Sequence, residues 1–365
     1  MWYILVVMTS KEIVLRRLAS QGLAAGSATA GVGGCFSSAE EVVRWMGCVQ
    51  AQDYAMGKWG IGLRAPGVGD AEIDAAFDAG RILRTHVLRP TWHFVLPEDI
   101  EWMVRLTGPR VRAGALSMQR QLGIDKAVLL KSKKVLTKAL IEPMTRTELA
   151  VLFRRAKINT DDIRMSFLMM EAELEGLICS GPRKGKQFTY RLLTERGLDL
   201  SGDAALGELA WRYFVSRGPA TVGDLAWWGG LSLAQAKRGL EVVRGRLGCE
   251  AVDGREYFFD AAGSVSLGVA AVLLLPAWDE YTVAYKDRSH FLHADHVGRS
   301  SYGLKPVIVV KGRVVGVWRR VLERERVIVE VSAFGDLSRA VVRAIGVAAK
   351  GYAAFLGKGV EVVYG

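Results

Sequence analysis

The sequence predicts an α+β fold: tandem winged-helix modules, each a helix-turn-helix plus wing, followed by a C-terminal α/β part. Two patterns carry this. Between residues 136 and 259 a helix, a turn, a second helix and a two-stranded hairpin occur twice in succession, which is the winged-helix plan. Beyond residue 263 β-branched runs take over, interrupted by one long helix. The boundaries expected are 1-110 for an N-terminal winged-helix-like module, 111-200 for a second winged helix, 201-262 for a third, and 263-365 for the C-terminal part with a basic hairpin.

In chain order, Ser10 is a candidate N-cap for a helix over 10–21 with Val14, Leu15 and Leu18 as its apolar face. Gly22 to Gly34 is Gly/Ala/Ser-rich and reads as a loop. Ser38 with Glu41 has capping-box spacing, Val42, Trp45 and Met46 form an apolar stripe, and Gly47 is a C-terminal stop. The stretch Val49-Gln50-Ala51-Gln52-Asp53 is then extended, and Gly57, Gly60 and Gly62 weaken any helix after it. Asp70 to Ala79 reads as helical. Arg81 to Val87 and Thr91 to Leu96 read as strands around Arg89-Pro90, and Pro97 opens another helix.

In the second module Thr145 and Glu148 repeat the capping-box spacing, and Asn159-Thr160-Asp161 caps a helix to about Gly176. Two strands, Leu177 to Ser180 and Gln187 to Leu192, flank a basic turn. In the third, Leu206 to Ser216 is a helix, Thr221 and Ser232 open two more, and Glu250 to Phe259 is a hairpin around Asp253-Gly254. Strands follow at Val269 to Leu275, Pro306 to Val310, Val314 to Trp318 and Val327 to Val331. Leu337 to Phe355 is a helix, and Val360 to Tyr364 a last strand.

Composition narrows the partners. The chain has 365 residues, 50% of them hydrophobic, so disorder is excluded. Its 49 Lys and Arg against 38 Asp and Glu give a net charge of +11, which suits a polyanion. The cations are distributed: Lys237, Arg238, Arg244 and Arg246 on one helix; Arg183, Lys184, Lys186 and Arg191 on a wing; Lys311, Arg313, Arg319 and Arg320 on the C-terminal hairpin. The long helix of the second module instead carries Asp161, Asp162, Glu171, Glu173 and Glu175 against Arg164, and is a poor groove reader. Scattered cations favour backbone grip on double-stranded DNA over base reading, although each set could equally be a solvated face.

Cys35, Cys48, Cys179 and Cys249 match no zinc spacing and suit a reducing, cytoplasmic setting. His290, His293 and His296 are regularly spaced but lack a Cys or clear carboxylate partner, so no metal is expected. No phosphate loop, dinucleotide fingerprint or nucleophile elbow occurs, so no cofactor is expected either. The opening Met1 to Val7 is apolar but too short for a signal peptide or membrane span, and Met8-Thr9-Ser10 makes a more natural beginning. A monomer without membrane contact is expected.

The chemistry-bearing stretch is Gln50-Ala51-Gln52. In an extended backbone residues two apart point to one side, so two amides would face one place. Val49-Gln50-Ala51-Gln52-Asp53 resembles the Gln-hydrophobic-Gln signature of the AlkZ/YcaQ-type bacterial DNA glycosylases, a family of tandem winged helices. Leu88-Arg89-Pro90-Thr91-Trp92-His93-Phe94-Val95 is similar to that family. So is Leu275-Pro276-Ala277-Trp278-Asp279-Glu280-Tyr281 with Tyr285-Lys286-Asp287-Arg288. The resemblance implies excision of alkylated bases and a DNA-contacting hairpin in the C-terminal half.

The residues suit that chemistry. Cleaving an N-glycosidic bond builds positive charge on the sugar, which many glycosidases meet with carboxylates. A neutral amide can orient a water and place a dipole there. That suffices when the base already leaves well, as a cationic N7-alkylpurine does. The expectation is a monofunctional DNA glycosylase for alkylated, possibly cross-linked, purines. Gln50 and Gln52 would be catalytic, with site support from Thr91, His93, Asp279 and Tyr281. His93 could equally be a structural histidine, and Asp279 part of a structural ion network. The alternative is a non-catalytic winged-helix DNA-binding protein or transcriptional regulator.

Overall fold

The computed structural model describes residues 8–24, 36–161, 163–194, 197–262, 272–293 and 304–365. Cys35, His296, most of the Gly22–Gly34 stretch and the start of the Val269 run lie outside them.

After an opening helix α1 (Ser10–Ser20), one order of elements recurs three times. The first repeat is α2 (Ala39–Met46), β1 (Val49–Gln50), α3 (Tyr54–Arg64), α4 (Asp70–Asp78), β2 (Leu83–His86) and β3 (Trp92–Val95), with sheet order β1-β3-β2. A long helix α5 (Pro97–Gln121) follows. The second repeat is α6 (Lys126–Ala139), β4 (Met144–Thr145), α7 (Arg146–Arg155), α8 (Arg164–Leu174), β5 (Ile178–Lys184) and β6 (Gln187–Leu192), with order β4-β6-β5. The third is α9 (Gly202–Arg217), α10 (Val222–Trp228), α11 (Leu233–Val243), β7 (Leu247–Val252) and β8 (Arg255–Asp260); its first strand is reduced to a bridge between Ala220 and Phe258. In each repeat the segment after the first helix pairs with the last strand.

The C-terminal part holds β9 (Val272–Leu275), α12 (Glu280–Val283), β10 (Val307–Val310), β11 (Arg313–Leu322), β12 (Arg326–Ala333), α13 (Arg339–Phe355) and β13 (Gly359–Tyr364). Its five-stranded sheet runs β13-β12-β11-β10-β9, with only β12 and β13 parallel. Helix α13 makes the crossover between those two, as a parallel pair requires.

Several elements depart from expectation. The N-cap of α1 is Thr9, whose side chain and Glu12 close a capping box. Asp53 caps α3, and three glycines do not break that helix; at two of them, Gly57 and Gly62, close packing leaves little room for a side chain. A Cβ at Gly62 would lie 2.6 Å from the Phe355 ring, where α3 meets α13. The helix expected over Asp161 to Gly176 is shorter, Arg164–Leu174.

The boundary expected at 110/111 falls inside α5, one continuous helix despite Pro109. Helix α1 bridges two repeats: Ile13, with Met8 just before the helix, clusters with Val252 and Tyr257 of the third, while the Trp45 indole of α2 donates to the Ser20 carbonyl at its other end. The C-terminal part is not separate either. One core joins the first repeat to β9, β12 and α13, with Trp59 packed on Tyr352 and Phe355 and donating to the Leu274 carbonyl at 2.7 Å. The second repeat keeps its own core of Leu136, Leu149, Phe153, Leu168 and Ile178. Among the described residues no helix is long and apolar enough to cross a membrane.

Candidate active site

Strand β1 is two residues long, and its register places Gln50 opposite His93 on β3, which in turn stands opposite Thr85 on β2. The three side chains therefore share one face of the small sheet. Gln50 is buried. Its Oε1 accepts the backbone N–H of Gln52 at 2.7 Å, and its own N–H donates to Glu280 Oε1 at 3.0 Å. Because β1 ends at Gln50, the shared direction expected of the two amides does not extend to Gln52. Gln52 sits in the bend leading to the Asp53 cap, exposed, with its Oε1 accepting the Trp92 N–H at 3.3 Å. It lines a cavity of about 630 Å³. His86, Arg89 and Trp92 make one wall; Val111 of α5 with Phe167 and Met170 of α8 make the other. Gln50 lies behind the first wall.

His93 is fully buried. Its Nδ1 lies 2.9 Å from the Thr91 carbonyl, so this nitrogen carries the proton, and Nε2 is left without a partner. Burial, reinforced by the Arg89 charge, pushes its pKa down to about 3, so the ring is neutral. Thr91 Oγ1 and Thr85 Oγ1 are likewise buried and unpartnered. Burial alone would raise the Glu280 carboxyl, but Arg217 overrides it and holds the pKa below the usual range. Arg217 Nη2 and Trp228 Nε1 donate to Glu280 Oε2 at 2.7 and 2.9 Å.

Asp279 and Tyr281 are not brought to the cavity. Asp279 takes two guanidinium nitrogens of buried Arg64 at 2.9 and 3.0 Å, and its Oδ1 also accepts the Tyr281 N–H. The Tyr281 hydroxyl donates to the Gly312 carbonyl at 2.7 Å. These contacts are structural.

The cations divide. Arg183 is bound to Asp74 and Asp78, Lys184 to Glu148, Arg238 to Asp203, Arg319 to Glu330, and Arg320 to the Tyr352 hydroxyl. Lys186, Lys237, Lys311 and Arg313 are exposed and show no ion pair among the described residues. The C-terminal hairpin does not project. Lys311 and Gly312 turn through φ +47° and +80°, but Gly312 is buried under Val14 and Leu18 of α1. Only the flanking Lys311 and Arg313 face solvent.

The acidic α8 is no groove reader for a different reason from charge: it is covered. Glu171 is held by Arg112 and Gln119, and Glu173 by His86. Its Met and Phe residues are only partly core, since Phe167 and Met170 line the cavity. Also unanticipated was α6, whose Lys131, Lys134 and Lys138 are exposed at helical spacing. The signal was present in the run of lysines.

The fold and this glutamine-walled cavity define a class, and comparison identifies it. The chain belongs to the family described as DNA glycosylase AlkZ-like, whose model matches residues 43–355. It is therefore a DNA glycosylase. It is 23% identical to the "Interstrand DNA cross-link repair glycosylase" of Streptomyces sahachiroi, the match covering 84% of this chain and 88% of that one. The solved structure of Streptomyces sahachiroi DNA glycosylase AlkZ is similar with a TM-score of 0.78 at 22% identity, over 98% of this chain and 100% of that one. At that identity the likeness speaks for the fold.

Proposed function

We propose that the protein hydrolyses the N-glycosidic bond of N7-alkylated purines in double-stranded DNA, including purines joined in an interstrand cross-link, with a water placed at the Gln50–Ala51–Gln52 turn. The three repeats are read as tandem winged helices, assembled around α5 and the C-terminal sheet. One observation supports this above the others: the Gln52 amide is presented on the cavity wall, its backbone N–H held by Gln50 and its carbonyl oxygen by the Trp92 N–H. An sp² oxygen has two lone pairs, so the Gln52 carbonyl can still accept from a water. That water adds through its oxygen to the anomeric carbon and releases a proton to solvent. The bond to the purine nitrogen breaks, and its electron pair neutralises the cationic ring. A leaving group this good needs little more than positioning. The buried α8 speaks against a regulator reading sequence through that helix.

The test is incubation of the protein with a duplex carrying N7-methylguanine, followed by cleavage of abasic sites with an abasic-site endonuclease at neutral pH, beside a control without the protein. Strand breaks at the modified site are expected. Their absence, with duplex binding intact, would leave a DNA-binding protein in place of this activity.

A further inference from the structure

The cavity wall carries a guanidinium that forms no ion pair among the described residues and whose Nε is buried without a partner. Arg89 lies in the connection between β2 and β3. Its backbone N–H donates to the Val87 carbonyl and its carbonyl accepts from Thr91, both at 2.7 Å. The residue before it, Leu88, is held at φ +63°, a conformation that side-chain-bearing residues rarely adopt. The Leu88 carbonyl abuts Gly230, where an added Cβ would lie 2.1 Å from it. The connection is thus fixed by strain and by close packing, and strain of this kind clusters at binding sites.

The guanidinium is half-buried. Its Nε is buried without a hydrogen-bond partner, and no carboxylate among the described residues pairs with it. Burial lowers its pKa, with the nearby Glu280 charge opposing. Glu280 does not neutralise it, because both carboxylate oxygens are engaged by Arg217, Trp228 and the Gln50 N–H. Further cations stand close. Burial and, after it, the Arg89 charge lower the pKa of Arg288, and Arg110 of α5 lines the same cavity from the opposite wall. A desolvated, uncompensated guanidinium is costly in the empty protein, and an incoming anion relieves that cost.

We propose that Arg89 receives a phosphodiester flanking the nucleotide drawn into the cavity, and so fixes the sugar against Gln52. This rests on the glycosylase reading. Of the parts of such a nucleotide, only the phosphodiester is anionic; the alkylated base is a cation, and Arg89 repels it toward Trp92, Phe167 and Met170. The planar fork of a guanidinium matches a phosphate through two parallel hydrogen bonds. Arg89 is accordingly a positioning residue.

The probe is a duplex containing one tetrahydrofuran abasic analogue, which offers the phosphodiesters and no base, set against the intact duplex of the same sequence. Dissociation constants for both are measured for the wild type, Arg89→Gln and Arg89→Lys, with thermal midpoints alongside. The wild type prefers the abasic duplex. Arg89→Gln loses that preference by about tenfold, the scale of one charge-assisted contact, while binding the intact duplex as before. Arg89→Lys recovers part of it. The thermal midpoint of Arg89→Gln is unchanged or higher, since an uncompensated charge has been removed. No preference in the wild type, a preference retained in Arg89→Gln, an equal loss on both duplexes, or a lowered midpoint would each overturn the proposal. None of these readouts needs base release, so a protein that fails on N7-methylguanine can still pass this test, and the converse.

Discussion

Glu280 reaches across 230 residues of sequence to accept the backbone N–H of Gln50 at 3.0 Å. The carboxylate that holds the glutamine turn from behind is the one that neutralises buried Arg217. Removing one partner of a buried pair leaves the other uncompensated, at a cost of about 3–5 kcal/mol. Glu280→Ala should lower the unfolding free energy measured in urea by that scale, whereas Glu280→Gln, which can still accept from Gln50, should lower it less. Equal midpoints for Glu280→Ala and wild type would mean that Arg217 finds other relief.

His93 gives the stability a pH dependence. Its pKa is about 3 when folded, against 6.5 for an ordinary histidine, so between these values the unfolded chain binds a proton that the folded chain refuses. The contribution is therefore fully present above pH 6.5 and is lost as pH falls toward 3, by about 5 kcal/mol over the whole window. Urea unfolding at pH 7 and pH 5 should show His93→Gln losing less stability than the wild type over that interval. Parallel losses would assign the acid sensitivity to other groups.

The two glutamines should separate. Gln52 is exposed on the cavity wall, so Gln52→Ala should abolish base release in single-turnover assays while leaving the unfolding free energy within about 0.5 kcal/mol. Gln50 is buried and bonded to the Gln52 backbone, so Gln50→Ala should slow release and also cost about 1–2 kcal/mol of stability. A wild-type rate in the double variant would remove both from the chemistry.

Affinity for duplex DNA should be sequence-tolerant and fall steeply with salt, as phosphate contacts release counterions. Lys311→Glu with Arg313→Glu, on the two exposed positions beside the buried Gly312, should weaken every duplex alike without moving the thermal midpoint. Titration of unrelated duplexes across a salt series checks both. Normal binding by the double variant would place the DNA surface elsewhere, with the lysines of α6 the next to be changed.

What the sequence disclosed was local. The capping box at Thr145, the helix start at Ser232 and the Asp253-Gly254 turn depend on groups within a few residues, and the structure forms each of them. What it concealed was distant or short. Strand β1 spans two residues, too few for an alternating pattern to show. Gly62 of α3 read as a helix breaker because the Phe355 ring it accommodates lies almost 300 residues away. That the acidic residues of α8 are bound inside the protein was hidden because Arg112 and His86, which hold Glu171 and Glu173, come from α5 and β2. Gln50 and Gln52 were legible as a pair, but not that one stands behind the wall and the other on it.

A chain of repeats invites dissection with a pair of primers, and the buried contact between Arg64 and Asp279 argues against it. Arg64 also donates to Gln21, and Gln21 donates onward to Tyr285, so three separated stretches of the gene meet in one chain of hydrogen bonds. A fragment ending before β9 would keep the Arg64 guanidinium and the Trp59 indole but lose the carboxylate and the carbonyl that satisfy them. The first repeat and the C-terminal part are separate in plan but not in stability, so a truncation between them removes half of a shared core.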